Sequence, residues 1–317
     1  MNGTTQHYRG AGKLLLTGEY FVLDGAEALA VPTRAGQSLS VTPGAAVADG
    51  DLSWTSLDQH GRPWLREALR REDWLGYAPE ARPQSPRARL LQLFAAAERL
   101  RPGSTAGAGR GEFVTRLEFD RRWGLGSSST LVYCLARHLG VDAYALLADT
   151  FGGSGYDLAC AGARGPLLYR NRRPRPAATP LAWRPPWVEQ TVFVYRNRKQ
   201  DSRAGIATYR AAGVDPALVR DVTALTAALT QPTLLPRAAA RILSEHERLV
   251  GRATGQTPIQ EALFADFPGV VKSLGAWGGD FVWAVSDWPA EKAAAYFNAR
   301  GFGTVIPYDA MILPSAE

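Results

Sequence analysis

Short apolar runs at 13–16 and 20–23, broken by Thr17-Gly18-Glu19, are followed by apolar-polar alternation at 37–42, a pattern that predicts β-structure at the start of the chain. Residues 87–100 place Leu90, Leu91, Leu93, Phe94, Ala97 and Leu100 at helical spacing and stop at Pro102-Gly103, which predicts a helix. A strand is expected at 112–119, then the glycine-serine run Gly124-Leu125-Gly126-Ser127-Ser128-Ser129, then a helix over 129–139 ending at Gly140. Asp142 is placed as the N-cap of a further helix, and Gly152-Gly153-Ser154-Gly155 interrupts before another at 156–163. A strand at 165–169 leads into 172–186, where five prolines argue against regular structure and mark an expected domain boundary. Beyond it the pattern predicts strands at 191–195, 281–285 and 304–306, and helices at 202–212, 217–229, 237–252 and 291–297. The fold class is therefore α+β, with no internal repeat.

Composition narrows the reading. The 317 residues, 46% hydrophobic and 21% charged, suit roughly two globular domains. The net charge of +6 is scattered apart from arginines at 170–175, and no basic stretch is interleaved with aromatics, so nucleic acid is not an expected partner. No run approaches the ~18 apolar residues of a membrane span. Cys134 and Cys160 read as isolated buried thiols, which fits a reducing, cytoplasmic location. Only Lys13, Lys199, Lys272 and Lys292 are lysines among 36 basic residues, so each is a candidate for a specific task.

Four segments carry candidate chemistry. A triphosphate requires close backbone approach and several N–H donors, which glycines and a helix N-terminus supply. Gly124 to Ser129 meets that need, and one of the serine hydroxyls can ligate the Mg²⁺ that accompanies ATP. A linker would not sit between a strand and a strongly apolar helix, and a dinucleotide loop would require glycine where Ser129 stands. The second segment is Gly10-Ala11-Gly12-Lys13 through Gly18-Glu19-Tyr20. The third, Gly153-Ser154-Gly155-Tyr156-Asp157, puts a carboxylate in a first helical turn, where capping is the competing explanation. The fourth is Lys272-Ser273-Leu274-Gly275-Ala276-Trp277-Gly278-Gly279-Asp280, too glycine-rich for a simple turn.

In order and spacing these segments resemble the three motifs of the GHMP kinases, and Gly18-Glu19-Tyr20 with Gly153 to Ala159 is most similar to phosphomevalonate kinase. The resemblance implies an N-terminal mixed β/α domain (1–175) with the ATP loop and a ferredoxin-like C-terminal α/β sandwich (186–317). It implies that Asp157 positions or deprotonates the acceptor and that Lys13 orients it. It further implies that Gly124, Leu125, Gly126, Ser127, Ser128, Ser129, Gly275, Gly278 and Gly279 hold ATP, with Ser128 on Mg²⁺. Glu19, Tyr20, Arg122, Ser154, Gly155, Lys199 and Ser202 join Lys13 as acceptor-side residues. The implied activity is transfer of phosphate from ATP to phosphomevalonate. The alternatives are mevalonate or another small alcohol as acceptor, or a catalytically silent protein of the same fold. A small-molecule acceptor is the expected partner, and a homodimer is allowed.

The chain departs from the resemblance at three places. Mevalonate kinases carry a Mg²⁺-binding glutamate eleven residues before the catalytic aspartate, where this chain has Leu146; Trp277 occupies a glycine position of the third motif; Ala11 replaces a proline.

Overall fold

The computed structural model describes residues 3–44, 51–78, 83–107, 109–172, 174–198, 202–275, 277 and 280–315, without the side chains of 202–204. The strands in chain order are β1 (Gln6–Leu15), β2 (Ala28–Pro43), β3 (Leu52–Leu57), β4 (Pro63–Leu69), β5 (Gly111–Leu117), β6 (Leu167–Arg170), β7 (Ala177–Pro180), β8 (Thr191–Tyr195), β9 (Gly269–Ser273), β10 (Phe281–Ser286) and β11 (Val305–Pro307). The helices are α1 (Arg71–Leu75), α2 (Pro86–Leu100), α3 (Ser127–Leu139), α4 (Ala143–Ala148), α5 (Tyr156–Gly162), α6 (Ser202–Ala212), α7 (Pro216–Leu229), α8 (Pro236–Thr254), α9 (Ile259–Leu263), α10 (Ala290–Asn298) and α11 (Tyr308–Met311). The α+β class expected from the sequence is the one observed.

Two compact units emerge, each built from discontinuous stretches. One comprises Met1–Gly12, Ala35–Arg121 and Leu125–Gly162; the other comprises Lys13–Arg34, Arg122–Gly124 and Ala163–Glu317.

In the first unit the strand order is β4-β3-β5-β2. β3 runs parallel to β5 and antiparallel to β4, whose exposed alternate residues mark an edge. Alternation turns Leu52 and Trp54 of β3 and Phe113 and Leu117 of β5 inward. Trp54 stacks on Phe113 at 5.6 Å, and Phe94 of α2 meets both rings edge-on. Burying each such ring contributes roughly 1.5–3 kcal/mol. α2 begins where Ser85 accepts the Ala88 N–H, with Pro86 following, and Asp142 caps α4 by accepting the Ala145 N–H. Cys134 and Cys160 are both buried.

In the second unit, β6 pairs with the Ala28–Ala30 stretch of β2 and with β7. A separate antiparallel sheet has the order β11-β8-β10-β9, the ferredoxin-like arrangement in which the first and third strands are central. One face packs Val192, Val194, Val282 and Ala284 against Phe264, Phe267 and Phe297. On the other face Trp283 stacks between Phe193 and Trp187.

Two local expectations are corrected. Residues 172–186 contain β7, tolerated because it is an exposed edge whose Pro180 falls at the strand end. The run at 20–23 is a single 3₁₀ turn, Phe21–Asp24, because left-handed backbone at Gly18 (φ 86°), Tyr20 (φ 62°) and Gly25 (φ 86°) coils the chain before a strand can form.

Candidate functional site

The glycine-serine run ends in the N-terminus of α3. Gly126 adopts φ 90° and lacks a side chain that could cap the helix, so the amides of the first turn have no N-cap acceptor. Ser129 is buried and donates its hydroxyl proton to the Gly126 carbonyl at 2.9 Å, while Ser128 is exposed. Thr130, at the next position, is tied by its hydroxyl to Gln37 Oε1 at 2.6 Å. Ser129 and Thr130 thus secure the turn. First-turn amides, the helix dipole and the hydroxyl of Ser128 are groups of the kind that can bind an anion.

Arg122 to Gly124, at the start of the run, fall in the second unit. Trp123 packs on Tyr195 and Phe281, and the Tyr195 hydroxyl donates to the Arg122 carbonyl at 3.2 Å. The Arg122 side chain is exposed. Gly124 combines φ 64° with an Asp280 carboxylate so close that a Cβ would lie 1.7 Å from its Oδ2. Only glycine fits there.

Lys13 is partly buried on β1. Glu19 and Tyr20 lie in a buried cluster with α7, α8 and β9. The Glu19 carboxylate is fully enclosed and receives a short hydrogen bond from Lys272, itself without exposure. Burial pushes the Glu19 carboxyl up against the pull of Lys272. His246 Nε2 accepts the Gly18 N–H at 2.8 Å, so that nitrogen carries no proton and the imidazole is neutral. Thr17 accepts from the Leu29 N–H and donates to Thr226, whose own proton goes to the Val222 carbonyl. Tyr20 stacks on Tyr209 at 5.6 Å, and its hydroxyl lies so near Gly205 that a Cβ there would be 2.3 Å away. The Gly18-Glu19-Tyr20 turn is therefore locked from three sides.

Trp277 is 1% exposed and points into this core, its indole N–H donating to Glu247 at 3.1 Å. Glu247 also accepts from the Ser273 and Ile259 amides, and burial pushes its carboxyl up to about 7. The bulk at this glycine position serves packing. Gly275 takes φ 65°, and a Cβ there would meet no atom of the described residues within 4 Å. Leu146 is fully buried in the apolar core of the first unit.

Asp157 sits in the first turn of α5, after left-handed glycines at 152, 153 and 155, with Ser154 partly buried and Gly155 buried. Its Oδ1 accepts the Leu158 N–H at 3.0 Å. α5 lies close against α3, since a Cβ on Gly162 would be 2.9 Å from the Tyr133 ring. Lys199, Gly278 and Gly279 lie outside the described residues, as does the side chain of Ser202.

Sequence reasoning did not assign His246 or Glu247, which look like ordinary polar residues on an amphipathic helix. Lys272 carried a signal in the scarcity of lysine. The neutral state of His246 gives a pH expectation. Burial, then the Lys272 cation, holds its titration well below the ordinary histidine value. Its stabilising contribution is thus present above the unfolded value near ~6.5 and declines below it by about 1.4 kcal/mol per pH unit. Glu247 acts oppositely: its raised carboxyl favours folding at low pH, a contribution lost as pH rises through about 7. His246→Gln, which can still accept from Gly18, isolates the histidine. In urea unfolding at pH 7.5 and 5.5, the advantage of the natural chain over this variant should shrink at the lower pH.

No helix among the described residues is long and apolar enough to cross a membrane. No protein-family model and no curated protein matches the sequence. Solved structures do match along nearly the whole chain. L. major mevalonate kinase in complex with R-mevalonate aligns with a TM-score of 0.67 at 15% identity, covering 100% of this chain and 98% of its own. Streptococcus pneumoniae phosphomevalonate kinase in complex with phosphomevalonate and AMPPNP gives 0.62 at 18%, covering 96% and 98%. Lactococcus lactis galactokinase complexed with galactose gives 0.65 at 11%, covering 99% and 95%. The chain thus has the two-domain fold of the GHMP-type small-molecule kinases.

Proposed function

We propose that the protein is an ATP-dependent kinase that phosphorylates phosphomevalonate to its diphosphate. The observation that carries the kinase reading is the α3 N-terminus, opened by left-handed Gly126 and fastened by Ser129 and Thr130. MgATP is the donor substrate. The first-turn amides and Ser127 take its phosphates, and Ser128 ligates the metal. Leu146 is buried in the core and offers no metal ligand, so Ser128 and the phosphates of the nucleotide would hold the metal.

In the reaction an acceptor oxygen forms a bond to the γ-phosphorus as the bond to the β,γ-bridging oxygen breaks, and ADP leaves with that electron pair. Lys13 orients the acceptor and balances charge on the transferring group. Asp157 holds the nucleophile in line. A phosphate acceptor is already largely ionised near neutral pH, since its second pKa is about 6, so Asp157 serves it mainly by positioning. An alcohol such as mevalonate would need Asp157 to remove a proton as well.

The test is ADP release in a coupled assay with phosphomevalonate, mevalonate, homoserine and galactose. Phosphomevalonate is expected to stimulate release most. Preference for mevalonate would reassign the acceptor, and no stimulation by any of the four would remove the proposed substrate class.

A further inference from the structure

Arg196 directly follows β8, and its N–H donates to the Asp280 carbonyl at 2.9 Å. It therefore stands at the end of the β8-β10 ladder, beside the residue whose carboxylate presses on Gly124 at the mouth of the glycine-serine run. Alternation along the strand puts Arg196 on the face of Val192 and Val194, the face covered by helices. Its Nε and Nη1 are buried, and neither has a hydrogen-bond partner among the described residues. The Glu247 charge reaches it without a hydrogen bond, and Arg198 adds a second positive charge nearby. A guanidinium cannot escape this situation by losing its proton, because its pKa is too high. Two buried donors of a planar fork, with like charge beside them, are unfavourable unless an anion completes the arrangement. Simple packing would be served better by an apolar side chain.

We infer that Arg196 recognises a phosphoryl group of a bound ligand, its Nε–H and Nη1–H donating to two phosphate oxygens. The planar fork matches the spacing of those oxygens, which a lysine at this position would not. The site is specific for dianionic phosphate over a neutral hydroxyl, and it makes a phosphate-bearing small molecule the preferred ligand class. Only the choice of ligand rests on the kinase reading. The phosphate belongs either to the acceptor or to the nucleotide, and the two sources separate experimentally.

The probes are inorganic phosphate, phosphomevalonate, mevalonate and MgATP, used on the full chain and on Arg196→Met and Arg196→Lys. In thermal-shift titration, inorganic phosphate is expected to raise the Tm of the natural chain and to have little effect on Arg196→Met. This readout requires no turnover, so it stands even if no substrate of the panel is phosphorylated. Without phosphate, Arg196→Met should melt close to the natural chain, since two buried donors without hydrogen bonds have been removed. In steady-state assays, a rise of about tenfold or more in KM for phosphomevalonate, with KM for MgATP unchanged, assigns the phosphate to the acceptor. The same rise confined to MgATP assigns it to the nucleotide. Arg196→Lys, which keeps the charge without the fork, should recover only part of the affinity, and it supplies the comparison if the methionine variant does not fold. A phosphate response that survives undiminished in both variants would overturn the inference.

Discussion

Asp157→Asn is expected to lower kcat by about 10²-fold while leaving KM for MgATP nearly unchanged. The substitution keeps size and hydrogen-bonding capacity, so α5 should survive, and the Leu158 amide can still bond to the side-chain oxygen. What is lost is negative charge at the acceptor. Phosphoryl transfer depends on positioning and charge balance around a loose transition state, so a misaligned nucleophile costs orders of magnitude in rate. The acceptor changes the detail. A phosphate nucleophile needs no proton removed, so the residual rate of the variant should be flat with pH above about 7. An alcohol would leave a residual rate that climbs as hydroxide takes over the role of base. Stopped-assay kcat over pH 6–9, alongside urea unfolding to confirm that the fold persists, decides the matter. An unchanged kcat would remove Asp157 from the mechanism.

Lys272→Met should destabilise the protein by about 3–5 kcal/mol. Lys272 and Glu19 are both fully buried, and the lysine also donates to the Ser273 carbonyl at 2.9 Å. Removing the ammonium leaves an uncompensated carboxylate in a core it shares with Glu247 and neutral His246. Adding Glu19→Gln should restore much of the loss, because the double variant buries no net charge. Urea midpoints of both single variants and the double variant measure the coupling. A small effect of Lys272→Met alone would mean that Glu19 is protonated in the natural fold. The pair also fixes the turn at Tyr20, so any activity of the double variant reports whether Glu19 acts on ligand or only through its own surroundings.

These two substitutions divide the motifs by role. Asp157 is only partly buried, on a short helix after left-handed glycines. Glu19 sits in an equally prominent motif and is wholly enclosed. Residue type alone does not separate them, since both are acids within glycine-rich segments. Burial separates them, and burial is set by α7, α8 and β9, which lie more than 180 residues along the chain from Glu19.

Elements with strong local signals were legible. The helical spacing of 87–100, the Asp142 cap and the Gly140 stop all have their structural counterparts in α2, α4 and the left-handed end of α3. β3 and β4 were not legible. Their serines, threonines and charges give weak alternation, and they exist because β5 supplies a parallel neighbour for β3 and β4 closes the edge. β9 was hidden for a similar reason: its Lys272 looked like part of a glycine-rich loop, whereas in the structure it is a buried strand residue neutralised by Glu19.

The sequence by itself determined the α+β class, most of the helices and the glycine-serine run at the head of α3, because these depend on spacing, caps and backbone freedom within a few residues. Only the tertiary structure decided that Trp277 serves the core, that Glu19 is sealed against Lys272, and that Arg196 holds two buried donors without a partner among the described residues. Those outcomes depend on desolvation and charge pairing between residues distant in the chain, and neither quantity exists until the chain has folded.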